Sequence, residues 1–154
     1  MASINGVYIR WLKKEEGQDN KILYSGDIYH SRNLLGSFKE VDDERGIIFD
    51  FDSPGKEKTF KEKSSEYFEM IGTEPPYEPW LYVIDRLIEL ISAQKYFSRE
   101  IKRGYGGIGV TADGRAISIP KSRSGKSIKR EFPEVTELYF SLSDFDIEPE
   151  RKES

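Results

Sequence analysis

Residues 79–104, PWLYVIDRLIELISAQKYFSREIKRG, are the stretch whose reading decides the fold. Trp80, Val83, Ile84, Leu87, Leu90, Ile91, Phe97 and Ile101 return at three- and four-residue intervals, which lays a broad apolar stripe along one side of a helix. Pro79 suits the first helical position, where its missing N–H has no partner to lose, and Gly104 suits the left-handed residue that closes a helix. One long helix from Pro79 to Arg103 is expected, and its stripe has to be covered by another layer. Just upstream, Tyr67, Phe68 and Ile71 share a face of a shorter helix at Ser65 to Ile71, closed by Gly72 and the Pro75-Pro76 pair.

The covering layer is read from alternation. Gly6 to Leu12 puts Val7, Ile9 and Trp11 on one side of a strand, and Ile22 to Tyr29 supplies a return strand beyond a polar loop at Lys13 to Asn20. Arg45 to Asp52 sets Ile47, Phe49 and Phe51 against Ile48, Asp50 and Asp52. Pro54-Gly55 reads as a turn leading to a polar edge strand at Lys56 to Lys61. Ile108 to Ala112 and Arg115 to Ile119 flank Asp113-Gly114, a two-residue hairpin turn in which both positions take positive φ. Thr136 to Phe145 alternates again, with Leu138, Phe140 and Leu142 opposite Tyr139 and Phe145. The fold class expected is α+β: antiparallel β-hairpins forming a sheet packed on one long central helix plus a shorter helix. A single domain over 1–146 and a charged, unordered tail at 147–154 complete the expectation.

Composition narrows the chemistry. The 154 residues contain no cysteine, so disulfides, thiolate zinc sites, iron–sulfur clusters and cysteine nucleophiles are excluded. His30 is the only histidine, which removes histidine-rich metal sites and leaves a hydrolytic triad without an identified nucleophile. The net charge of −4 disfavours non-specific attraction to nucleic acid or anionic lipid. No apolar run approaches the roughly 20 residues of a membrane helix, and the start lacks the pattern of a secretory signal, so a cytoplasmic setting without membrane contact is expected.

Two phosphate motifs fail on context. Gly104 to Gly109 matches G-x-G-x-x-G but follows a helix and precedes a strand, the reverse of a dinucleotide site. Ser124-Gly125-Lys126-Ser127 contains Gly-Lys-Ser, but Pro120 replaces the first glycine of a phosphate-binding loop and Pro133 limits any helix beyond. The five cations Lys121, Arg123, Lys126, Lys129 and Arg130 then read as a solvated basic loop. That loop is the chain's candidate contact for phosphate or RNA, though no aromatic is interleaved for base stacking. Asp50 and Asp52, two apart on a strand, share a face and could hold a cation. In that motif the chain resembles haloacid-dehalogenase-type phosphatases, with Ser53-Pro54 where the family carries threonine.

The functional expectation is a non-catalytic acidic protein-binding module without a cofactor. Its most concrete form is an inhibitor or immunity-type protein that neutralises a basic partner such as a nuclease toxin. Asp42, Asp43, Glu44, Asp50 and Asp52 would supply the charge, and Tyr77 and Trp80, beside Tyr82, the aromatic anchors. The alternatives are a metal-dependent phosphoesterase using Asp50 and Asp52, or an RNA-binding protein using residues 121–130.

Overall fold

The computed structural model describes residues 1–148. Along the chain it forms β1 (Ser3–Ile4), β2 (Val7–Glu16), β3 (Ile22–His30), β4 (Asn33–Glu40), β5 (Ile47–Phe51), α1 (Pro54–Ile71), α2 (Pro79–Lys102), β6 (Gly107–Thr111), β7 (Ala116–Ile119), α3 (Gly125–Glu131), β8 (Val135–Tyr139) and β9 (Asp146–Ile147). The class is α+β, as the alternation and the long apolar stripe imply. Two compact units divide the described residues, one of 3–87 with 147–148 and one of 1–2 with 88–146, and the continuous helix α2 contributes to both. The segment expected as a tail starts with Ile147, whose carbonyl accepts the Asn5 N–H in β9; residues 149–154 lie outside the described residues.

In the larger unit the strands order as β5-β4-β3-β2-β1-β9. Val7, Ile9, Ile28 and Phe38 are buried on one side of this sheet. On that side the Phe60 ring of α1 lies 5.8 Å from Phe49 and 5.6 Å from Phe51. Fully burying each such side chain contributes roughly 1.5–3 kcal/mol. Helix α1 joins the first half of α2 where the Phe68 ring meets Tyr82 edge-on at 5.0 Å.

Locally, this unit differs from the sequence expectation at five places. The polar stretch from Lys13 is not loop as far as Glu16: β2 continues, pairing Lys13 to Glu16 with Ser25 to Ile22. Backbone hydrogen bonds hold that extension, which has no apolar side chain to bury. Trp11 does not share the buried side of Val7 and Ile9; it is 72% exposed, because the register shifts between Arg10 and Lys13. Strand β4 is not foreshadowed by alternation, since Tyr29 pairs with Leu34 and Ile28 with Gly36, which leaves Leu35 as an extra residue that breaks the pattern. Lys56 to Lys61 is helix, not edge strand: Ser53 caps α1 by accepting the Lys56 N–H at 3.2 Å, and Pro54 is the first helical residue. The short helix expected at Ser65 is the end of this longer one, closed by Gly72 at φ 70°.

The smaller unit holds the second half of α2, a three-stranded sheet in the order β7-β6-β8, and α3. Phe97 of α2 meets Phe145 at 5.4 Å, and Tyr139 stacks on Phe145 at 4.3 Å. The β6–β7 hairpin is present, but in its turn only Gly114 takes positive φ, 86°. Asp113 instead accepts bonds from Thr111 and Arg115, which tie the turn together. The strand expected over Thr136 to Phe145 is β8, which ends at Tyr139; its inward residues are Val135 and Tyr139, while Phe140 and Leu142 are exposed. A 3-10 turn at Leu142–Phe145 follows, in which Asp144 accepts the N–H groups of Phe140 and Ser141 at 2.8 and 3.1 Å.

Candidate partner-binding surface

On the side of the larger sheet away from Phe60, the register sets up transverse rows. Arg10 lies opposite Asp27, Asp27 opposite Ser37, and Ser37 opposite Asp50, so one row crosses four strands. In the next row Tyr8 lies opposite Tyr29; their rings stack at 5.4 Å, and the Arg10 guanidinium sits 5.3 Å from the Tyr29 ring. This packing fixes the arginine by cation–π attraction and holds the ring pair flat against the sheet.

Trp11 rises beside these rows from the bulge in β2. Its φ is 59°, in the left-handed region where a bulky side chain is a marked exception. The distorted backbone turns the indole away from the buried side, and half-buried Leu12 follows it in the chain. An open groove of ≈ 460 Å³ is lined by Trp11, Lys13, Ser25, Asp27 and Ser37 among others. Such a surface combines an aromatic anchor, one cation, one carboxylate and two hydroxyls.

The acidic residues named from sequence gather around the β4–β5 hairpin, but several are already engaged. Asp43 accepts Arg45 at 2.6 Å, and the side-chain hydrogen bond from Arg45 holds its pKa down at about 2. Asp42 accepts the Gln18 N–H at 2.5 Å, and Asp52 pairs with Lys56 at 3.4 Å. Among the described residues no donor or cation pairs with the exposed Asp50 carboxylate, nor with Glu44. No group of three or more His, Asp or Glu among the described residues is arranged to hold a metal ion. Tyr77 donates to Asp85 at 2.6 Å, and Trp80, half-buried, carries Lys61 4.8 Å above its ring. The two aromatics named from sequence are thus held by their own neighbours.

The basic segment is partly helical rather than a loop. Ser124 caps α3 by accepting the Ser127 N–H at 3.2 Å, and Pro133 falls beyond the helix end rather than within it. Arg123, Lys126 and Arg130 line one depression with Ser124, Ser127 and Glu131, whereas Lys121 and Lys129 do not. Arg123 is committed to Glu131 and to Ser127. His30 ends β3, where burial first and Lys63 second lower its pKa.

One buried ion stands out in the smaller unit. Glu100 is 1% exposed, accepts Ser118 at 2.9 Å and pairs with Arg103 at 3.1 Å and Arg99 at 3.3 Å. Burial pushes its pKa up, but Ser118, Arg103 and Arg99 outweigh it, and the carboxyl ends below its ordinary value. Its bonding capacity is occupied, so it pins α2 to β7 rather than awaiting a substrate.

The feature missed from sequence is Trp11 as an exposed anchor. The one available signal was the abrupt change from alternating apolar residues to Lys13-Lys14-Glu15-Glu16 directly after it. Comparison with family models, with curated proteins and with solved structures gave no match to this chain.

Proposed function

We propose that the chain is a non-catalytic protein-binding module that engages its partner with the solvent-facing side of the larger sheet. The observation that carries this reading is Trp11, 72% exposed on a backbone held at φ 59°. A strained residue persists where the surroundings over-determine it, and bulges commonly re-aim a side chain at a site of use. Tryptophan, tyrosine and arginine are also the residues that dominate binding energy at protein interfaces, and Trp11, Tyr8, Tyr29 and Arg10 lie together.

Asp27 and Asp50 place carboxylates on this side among Arg10, Lys13 and Lys39, and a partner that sets a basic group against them is the one this reading favours. The most concrete form remains an inhibitor or immunity-type protein masking a basic, nucleic-acid-cutting partner. Affinity capture from the native cell at low and high salt, run in parallel with Trp11→Ala, tests it. A stoichiometric basic partner that Trp11→Ala fails to retain is expected. The same partner held equally by Trp11→Ala would remove this surface from the reading. Asp50→Asn and a screen with magnesium and phosphoesters address the phosphoesterase alternative, for which the described residues assemble no third ligand.

A further inference from the structure

The larger sheet ends at β5, an apolar edge whose one charged side chain is Asp50. Natural edge strands are protected by proline, lysine, bulges or brevity. Strand β5 runs Ile47-Ile48-Phe49-Asp50-Phe51, with no lysine, no proline and no register shift against β4. Its opposite number at the other edge, β9, has only 2 residues.

The register shows which backbone groups are spoken for. Val41 donates to Gly46, and Asp52 donates to Leu35, at the two ends of the β4–β5 ladder. Alternation between those bonds assigns Ile48 and Asp50 to the partnered set and points the amides of Phe49 and Phe51 away from β4. The Ile47 N–H is taken by the Arg45 carbonyl at 2.7 Å, so the open ladder begins at the Ile47 carbonyl. Among the described residues, no strand pairs with that side of β5.

We infer that β5 is a strand-addition site, and that its occupant is an extended segment of the partner alternating apolar and basic residues. The inference rests on the protein-binding reading above. Main-chain bonds to Phe49 and Phe51 would supply the pairing, and charge selects the occupant. Asp50 lies in the row from Arg10 through Asp27 and Ser37, with Lys39 in the adjoining row opposite Ile48, and no cation pairs with its carboxylate among the described residues. A lysine or arginine opposite Asp50 would extend that row by one strand. A second copy of this chain is disfavoured by the same residue: antiparallel β5 edges centred on Phe49 would bring two unpaired Asp50 carboxylates onto one face. Asp50 therefore repels the self-pairing that an apolar edge invites and attracts a basic strand.

The test uses the full chain and a fluorescein-labelled peptide alternating valine and lysine, with a valine–glutamate peptide and a version N-methylated along its pairing edge as controls. Saturable anisotropy with the lysine peptide is expected, together with slowed amide exchange at Phe49 and Phe51. Backbone methylation should abolish both. Asp50→Lys, at an exposed position that leaves the core intact, should weaken the lysine peptide by about tenfold and gain the glutamate peptide. No saturable binding at millimolar peptide, equal binding of the methylated peptide, or indifference to Asp50→Lys would each overturn the inference. So would a dimer formed through β5. Failure here alongside Trp11-dependent capture of a partner removes only the edge; peptide binding without any such partner removes only the surface around Trp11.

Discussion

Trp11 carries two opposed terms that can be measured separately. Its left-handed backbone costs about 1 kcal/mol or more for a residue with a Cβ, a cost glycine does not meet. Its side chain recovers little by burial, since it is 72% exposed. Trp11→Gly is thus expected to raise the unfolding free energy by about 1 kcal/mol, less whatever the freer unfolded chain takes back. Urea denaturation followed by circular dichroism reads it. A clear loss of stability would mean that the indole packs for the fold's benefit, and it would weaken the case that the residue is kept for a partner. Gain of stability with loss of the captured partner is the pattern of a residue retained for use.

Among the elements, α1 is the one whose start rests most visibly on a single cap. Ser53 accepts the Lys56 N–H at 3.2 Å, so Ser53→Ala should cost about 1 kcal/mol, while Ser53→Asp should be nearly neutral. Thermal unfolding of the two variants checks it; equal loss from both would point to the adjoining Asp52 environment instead. The same segment explains why the fold was only partly legible. Helix α2 and the β6–β7 hairpin could be read because long apolar stripes and Asp-Gly turns are local. The start of α1 could not, because Pro54-Gly55 serves a turn and a helix start equally well, and between Lys56 and Lys61 only Phe60 is buried. Strand β4 and the exposure of Trp11 both depend on bulges, which shift register and break the alternation by which a strand is read. The candidate surface is therefore hidden in the sequence: its acidic residues are visible as composition, but simple alternation groups Trp11 on one strand face with Val7 and Ile9 and apart from Tyr8 and Arg10.

For the molecule as a whole, the resolved titration shifts narrow stability from both sides of neutrality. His30 is harder to protonate in the folded chain, because burial and Lys63 disfavour its charged form. Below its ordinary pKa, about 6.5, the unfolded chain takes that proton first, so stability falls as the pH drops toward the lowered folded value. Asp43, Glu100 and Asp113 have depressed folded values, so their contribution is complete above the ordinary carboxylate range and is lost as the pH falls through those values. Asp43 is exposed and its share is screened by salt, which leaves Glu100 as the carboxylate whose loss is least sensitive to ionic strength. At the alkaline end, burial and Tyr82 raise Tyr67, so the unfolded chain loses that proton first and stability declines above about pH 10. Melting temperature against pH should show a plateau near neutrality, a shallow decline through the histidine range, and a steeper one in acid. Glu100→Gln is expected to melt lower at pH 7, with the gap to the unsubstituted chain closing as the pH falls and Glu100 itself takes a proton. A gap that stayed constant down to pH 2 would show that the carboxylate is held by shape alone, and that the ion pairs with Arg99 and Arg103 add nothing to the join between α2 and β7.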